Sequence, residues 1–163
     1  MKKSKGFTLI ELLVVIAIIG VLSSVVLASL NTARSKGNDA GVKANLSTVG
    51  TQAVLYFSDN NAYGAFDNGS GAGAACPLVA DEGATVFHEP TIKNAIATAL
   101  VDAASDGTTM CRSTDTEYAV AVSRPAGSGS TYWCVDSIGT RCGINQNALD
   151  GENALCGACD STN

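Results

Sequence analysis

The chain has 163 residues and a formal net charge of −5, a length that suits one globular domain with an additional segment. Three of its ten basic residues (Lys2, Lys3 and Lys5) stand within the first six positions, where none of the fifteen acidic residues lies. The rest of the chain is therefore acidic. This argues against a general nucleic-acid binder, because phosphate contacts need clustered Lys and Arg.

An almost uninterrupted apolar run follows the lysines, from Phe7 to Leu30. About twenty apolar residues span the ~30 Å of bilayer hydrocarbon as a helix. The basic flank predicts that the N-terminus stays cytoplasmic and the remainder lies outside. Glu11 is the only charge in the run. An acid in a membrane helix costs roughly 2.5–3.5 kcal/mol at the bilayer centre and less near the interface. Glu11 is therefore a candidate functional residue that needs a partner.

An ordinary secretory signal is the first alternative for this segment. Val26-Leu27-Ala28 offers a small-x-small cleavage site after the apolar core. The apolar run is long for such a signal, however, and a signal peptide gains nothing from Glu11. Cleavage after Gly6 would instead leave the apolar segment on the mature protein, and we favour that interpretation.

The run Lys5-Gly6-Phe7-Thr8-Leu9-Ile10-Glu11-Leu12 resembles the class III signal of type IV prepilins and pseudopilins. The resemblance implies that a membrane prepilin peptidase cuts between Gly6 and Phe7 and N-methylates Phe7. Residues 1–6 would be the leader, and residues 7–30 the transmembrane and filament-core half of a long helix. Many family members carry a proline near the position of Ala28. Any break in this helix is therefore expected at Gly20 or at the Ser23-Ser24 pair.

Residues 31–57 are predicted to continue this helix as its amphipathic half. Apolar residues recur at spacings of four, three, four and three, which is one stripe of a helical period: Val42, Leu46, Val49, Ala53 and Tyr56. No proline interrupts the chain between Phe7 and Phe57. Turn-forming residues from Ser58 to Gly64 end the helix.

Residues 58–163 are predicted to form the globular head. A mobile loop is expected from Asp67 to Ala75, and a short helix from Thr91 to Ala104. Strands are predicted at Glu117–Ser123 and Thr131–Asp136, with an edge strand at Thr109–Arg112. The alanines on one face of the Glu117–Ser123 strand suit a sheet lying close on the long helix. The chain from Ile138 onward is predicted to be loop-like. These elements predict an α+β fold, and the resemblance implies a type IV pilin-like one: one long N-terminal helix packed on a small antiparallel sheet, with a disulfide-rich C-terminal region.

Six cysteines lie in the part predicted to be outside, and an even count there indicates three disulfides. They are Cys76, Cys111, Cys134, Cys142, Cys156 and Cys159. We favour a Cys76–Cys111 pair, because these two bracket the loop and the short helix. Cys134 and Cys142 would then join each other or the Cys156/Cys159 tail. The C-x-x-C of that tail also permits a redox or zinc site, although the chain has no second C-x-x-C at zinc spacing and its single histidine, His88, lies in another loop.

Oxygen-bearing side chains cluster around Gly151, namely Asn145, Asn147, Asp150 and Glu152. Their spacing is not that of an EF-hand loop, so a solvated acidic loop is the favoured interpretation and calcium the alternative. No Ser/His/Asp or paired-carboxylate pattern stands out. We therefore expect a non-enzyme without a cofactor.

These observations lead to the hypothesis of a type IV pilus subunit. Glu11 would meet the new α-amine of Phe7 of a neighbouring subunit and fix the register of the filament. The partners implied are other pilin subunits, the prepilin peptidase and an inner-membrane assembly platform, and nucleic acid is not among them. The precursor would lie in the inner membrane and the product in a cell-surface filament. A type II secretion pseudopilin, a minor pilin and a membrane-anchored redox or metal-binding domain remain alternatives, and adhesion, motility and DNA uptake stay open.

Overall fold

The computed structural model describes residues 6–66, 75–78, 83–103, 107–124, 132–144 and 156–157. Two helices and four strands follow one another in these ranges: α1 (Leu9–Asn60), α2 (Pro90–Asp102), β1 (Thr109–Ser113), β2 (Tyr118–Ser123), β3 (Tyr132–Asp136) and β4 (Arg141–Ile144). A 3₁₀ turn at Val86–His88 precedes α2. The chain divides into two compact units, Met1–Arg34 and Ser35–Asn163.

The first unit is the N-terminal part of α1. Its helix passes Gly20 and the Ser23-Ser24 pair without interruption. The Ser24 hydroxyl donates to the Val21 carbonyl over 2.8 Å, so this polar group is satisfied within its own helix. Among the described residues, α1 is the one helix long and apolar enough to cross a membrane by length and composition.

The second unit contains the core, which is built on the remainder of α1. The predicted stripe is confirmed, since Val42, Leu46, Val49 and Ala53 are fully buried and Tyr56 is half-buried. The helix ends at Asn60. Asn61 then adopts a left-handed conformation with φ 56°, and its N–H donates to the Phe57 carbonyl over 2.7 Å. A left-handed asparagine of this kind is a common way to end a helix.

Helix α2 packs one apolar face into the same core, through Ile92, Ile96 and Ala99, and the C-cap residue Ala103 joins them. The Glu89 carboxylate accepts the Ile92 N–H over 2.7 Å and caps the helix ahead of Pro90. The predicted helix is therefore confirmed, with bounds shifted by one or two residues. Asn45 of α1 donates to the Asp102 carboxylate of α2 over 3.1 Å and joins the two helices.

The four strands form one antiparallel sheet in the order β1-β2-β3-β4. The three predicted strands are present. The expectation of loop from Ile138 onward is wrong for Arg141–Ile144, which pairs with β3 and places Cys142 opposite Cys134. Four residues that include Gly143 show too little alternation to predict a strand, so this strand depends on its partner. The α+β architecture is confirmed.

The two faces of the sheet lie opposite to our expectation. Tyr118, Val120 and Val122 face the core shared with α1, whereas Ala119 and Ala121 face a second cluster on the other side. The larger side chains bury more apolar area against the helix. The alanines leave room on the outer face, where Cys134, Ile144 and Cys156 lie.

One described disulfide belongs to each face of the sheet. Cys76 is bonded to Cys111 on the inner face, the pair that the sequence analysis favoured. Cys134 is bonded to Cys156 on the outer face and ties the C-terminal tail to β3. Cys142 is also disulfide-bonded. Cys159 lies outside the described residues, as does the predicted loop from residue 67 to residue 74.

Candidate processing and assembly site

The residues expected to carry processing precede the first helix. Gly6, Phe7 and Thr8 are non-helical and exposed, and Phe7 is 81% exposed. The Gly6–Phe7 peptide bond therefore lies on an accessible, non-helical segment directly ahead of Leu9. A peptidase can reach such a bond without unwinding a helix, whose backbone groups are engaged in hydrogen bonds.

Thr8 and Glu11 form a capping box at the start of α1. The backbone N–H and the hydroxyl of Thr8 both donate to Oε2 of Glu11, each over 2.8 Å. The Glu11 N–H donates in return to Oγ1 of Thr8 over 3.3 Å. This role of Glu11 was not predicted, although a Thr-x-x-Glu spacing before an apolar run is a recognised signal for a helix start.

An apolar surface surrounds the capping box. Leu9 and Ile10 are 73% and 72% exposed. Further large aliphatic side chains remain exposed along the helix: Leu12, Leu13, Val14, Val15, Ile16, Ile18, Ile19, Val21, Leu22, Val25, Val26, Leu27 and Leu30. A continuous apolar surface of this size is not stable in water. It needs lipid or other apolar helices around it.

A polar cluster in the second unit joins α1 to the end of β2. The Arg124 Nε–H donates to Asp39 over 2.7 Å, and the Lys43 ammonium lies 2.9 Å from the same carboxylate. Both cations also lie over the Trp133 ring, at 4.5 Å from its centroid for Lys43 and 5.5 Å for Arg124. Partial burial raises the pKa of Asp39, but the hydrogen bonds and charges of Arg124 and Lys43 outweigh it and hold that pKa below its usual value.

Asp136 and Tyr118 are two further buried polar residues of the head. Asp136 is 2% exposed and accepts the Thr140 N–H over 2.8 Å and the Cys156 N–H over 3.1 Å. Burial is the main reason that the pKa of Tyr118 lies above its usual range. Asp136 therefore holds the turn after β3 and the C-terminal tail in place.

The sequence left redox, metal and calcium sites open. The disulfide from Cys134 to Cys156 rules out a redox pair between Cys156 and Cys159 in this structure. Within the described ranges, no group of three His, Cys, Asp or Glu side chains is placed to hold a metal ion. His88 lies in the segment before α2, with Nδ1 2.8 Å from the Thr85 hydroxyl. The calcium candidates Asn145, Asn147, Asp150 and Glu152 lie outside the described residues.

The N-terminal segment matches a known protein family. Residues 1–27 match the family model described as the prokaryotic N-terminal methylation motif. The chain carries that motif, and the resemblance noted from Gly6, Phe7 and Glu11 is confirmed.

Individual relatives are type IV pilins and type II secretion proteins. The chain is 48% identical over 63 residues to the type IV wide pilus major component PilA4 of Thermus thermophilus, a match covering 39% of this chain and 48% of that protein. It is 33% identical over 66 residues to the type IV major pilin protein PilA of Myxococcus xanthus, covering 40% and 30%. For the type II secretion system core protein G of Dickeya chrysanthemi the identity is 34% over 71 residues, covering 44% and 46%. These matches span about half or less of each relative, and no solved structure matches the chain.

Proposed function

We propose that this chain is a structural subunit of a type IV pilus. Its precursor is cleaved after Gly6, N-methylated at Phe7 and polymerised through its N-terminal helix. The observation that carries this proposal is the exposed apolar surface of α1, which begins directly after an accessible Gly6–Phe7 bond and contains one carboxylate. The methylation motif over residues 1–27 and the similarity to two type IV pilins support it.

Assembly would proceed by pairing charges between subunits. Cleavage creates an α-amine on Phe7, a cation that methylation preserves, four residues before Glu11. In an apolar surrounding, each of these charges is unfavourable alone and tolerable when paired with its counterpart on a neighbouring copy. Any other stagger would leave two unpaired charges, so the pair selects one register. Contacts of this head-to-tail kind do not close, and the polymer is open-ended.

The regions of the chain then take distinct roles. Residues 1–6 are the leader, residues 7–30 lie in the membrane and later in the filament core, residues 31–57 carry the head, and residues 58–163 form it. The precursor is held in the inner membrane with its N-terminus cytoplasmic. It is cleaved by a prepilin peptidase, enters the filament at an inner-membrane assembly platform and ends on the cell surface. The chain acts as a non-enzyme without a cofactor.

A second candidate is a pseudopilin of a type II secretion system. The similarity to core protein G of Dickeya chrysanthemi favours it. Such a subunit uses the same N-terminal chemistry. Two observations distinguish the candidates. A pilin yields long filaments in a shear fraction, whereas loss of a pseudopilin blocks export of secreted proteins.

The test compares the wild type with two variants by mass spectrometry and by electron microscopy of shear fractions. We expect wild-type subunits that begin at N-methylated Phe7 and form filaments. Gly6→Glu should leave an uncleaved precursor in the membrane. Glu11→Ala should be cleaved normally and be absent from filaments. Normal filaments from Glu11→Ala would contradict the charge pairing, and normal maturation of Gly6→Glu would contradict the cleavage site.

A further inference from the structure

The capping box places all of the described hydrogen bonds to the Glu11 carboxylate on one of its oxygens. Both donors of Thr8 approach Oε2, over 2.8 Å each. Within the described part of the chain, Oε1 of Glu11 accepts no hydrogen bond. The carboxylate therefore has one oxygen engaged within its own chain and one oxygen still open to a partner.

These hydrogen bonds lower the free-energy cost of placing the Glu11 carboxylate in the membrane before assembly. The neighbouring side chains Phe7, Leu9 and Ile10 are apolar and exposed, so the surroundings of Glu11 in a membrane would be hydrocarbon. A carboxylate without donors is strongly unfavourable there, and donors within its own chain offset part of that penalty. The Thr8 hydroxyl serves twice, since it donates to Oε2 and accepts the Glu11 N–H.

The capping box also fixes the direction of the Glu11 side chain. A free glutamate loses rotamer freedom when it is held by a partner, and this loss opposes binding. Here the two bonds from Thr8 already hold the carboxylate before any second copy arrives. A neighbouring α-amine then meets a carboxylate that is already ordered, with Oε1 free to accept a charge-assisted hydrogen bond.

We propose that Thr8 is a positioning residue for assembly: it holds Glu11 through Oε2 so that Oε1 receives the Phe7 amine of a second copy. The proposal rests on the proposed function, because the second copy and its free amine come from that function. It adds a residue that acts through Glu11 without touching the neighbouring subunit's amine.

The test uses the mature chain, which begins at Phe7, in two variants. Thr8→Val removes the hydroxyl at nearly constant shape, and Thr8→Ser keeps it. The first readout is hydrogen exchange of the Glu11 amide in detergent-solubilised monomer. We expect exchange about fivefold faster in Thr8→Val, the factor for one lost cap interaction, and near wild type in Thr8→Ser. Equal exchange rates in all three proteins would overturn the cap.

The second readout is filament yield in the shear fraction. We expect Thr8→Val to lower the yield about fivefold, from loss of one cap interaction, and Thr8→Ser to restore it. Wild-type yield from Thr8→Val, or a loss that Thr8→Ser does not restore, would overturn the positioning role alone. A wild type that forms no filaments would overturn the proposed function and this role with it.

Discussion

Asp39 is the residue at which the long helix meets the end of β2. Its carboxylate lies between Arg124, whose side chain is 3% exposed, and Lys43, whose side chain is 37% exposed. The two ion pairs have different weights, because a pair with a buried cation is poorly screened by water while an exposed pair between helix neighbours is weak. Asp39 is thus mainly the counter-charge of Arg124.

We predict that Asp39→Asn lowers the unfolding free energy at neutral pH by about 3 kcal/mol, because the buried Arg124 guanidinium loses its carboxylate. The matched control is Lys43→Ala, for which a loss below about 1 kcal/mol is expected from one exposed pair and one cation–π contact. Chemical denaturation followed by the fluorescence of Trp133, the only tryptophan in the chain, measures both at the site itself. Equal losses in the two variants would contradict this assignment.

The same site gives a pH dependence whose sign follows from Asp39. Its pKa in the folded chain lies below the usual value, so the folded state favours the ionised form. The stabilisation is present above the unfolded-state pKa of about 4 and is lost as the pH falls through the lower folded-state value. We therefore expect the stability difference between wild type and Asp39→Asn to shrink below about pH 4. A difference that stays constant down to pH 2 would exclude this linkage.

Helix α1 carries a glycine, Gly50, at a position where the sheet comes close to it. A Cβ on Gly50 would lie 3.1 Å from a guanidinium nitrogen of Arg141 and 3.3 Å from a methyl carbon of Val135. Arg141 is exposed and can move, but Val135 is buried and cannot. Gly37 of the same helix has no atom within 4 Å of such a Cβ.

Alanine at these two positions should therefore have opposite effects. Gly37→Ala should raise the unfolding free energy by about 0.5–1 kcal/mol, because alanine is the better helix former and meets no neighbour. Gly50→Ala gains the same propensity but overpacks against Val135, and we expect a net loss of about 1 kcal/mol. Denaturant titration of both variants measures the two effects. Stabilisation by Gly50→Ala would show that the sheet yields at this contact.

The elements differ in how far the sequence alone could predict them. The buried stripe of α1 and the strand at Tyr118–Ser123 carry strong local periodicity, so their positions were predictable. Strand β4 was not, because its four residues gain strand character from pairing with β3. The sheet face that meets the helix was also not predictable, because alternation predicts two faces without saying which one is buried against α1. The C-terminal tail, bonded to Cys134, covers the other face.

The candidate site was predictable to a similar degree. Gly6, Phe7 and Glu11 stand out from the sequence because a family motif and a single charge in an apolar run mark them. The hydrogen bonds of Thr8 were not predicted, although the Thr-x-x-Glu spacing ahead of an apolar run is a local signal for them. The link from Asp39 to Arg124 joins residues 85 positions apart and has no local signal.

The two units of the chain differ in what stabilises them. The fully buried side chains of the core, from Val42 onward, all belong to the second unit. The aliphatic side chains of the first unit are exposed instead. Stability of the head should therefore depend on its own core and disulfides, while association should depend on the first unit.

We predict that a chain beginning at Ser35 folds as a soluble monomer without detergent, because removing residues 1–34 takes away exposed apolar surface and none of the buried core. Light scattering should give a monomer mass, and thiol labelling should find Cys76, Cys111, Cys134 and Cys156 blocked as in the full chain. The matched control is full-length Glu11→Ala, which keeps the apolar surface and should still require detergent. If the shortened chain aggregates or polymerises, the head itself supplies an association surface and the first unit is not the sole determinant of assembly.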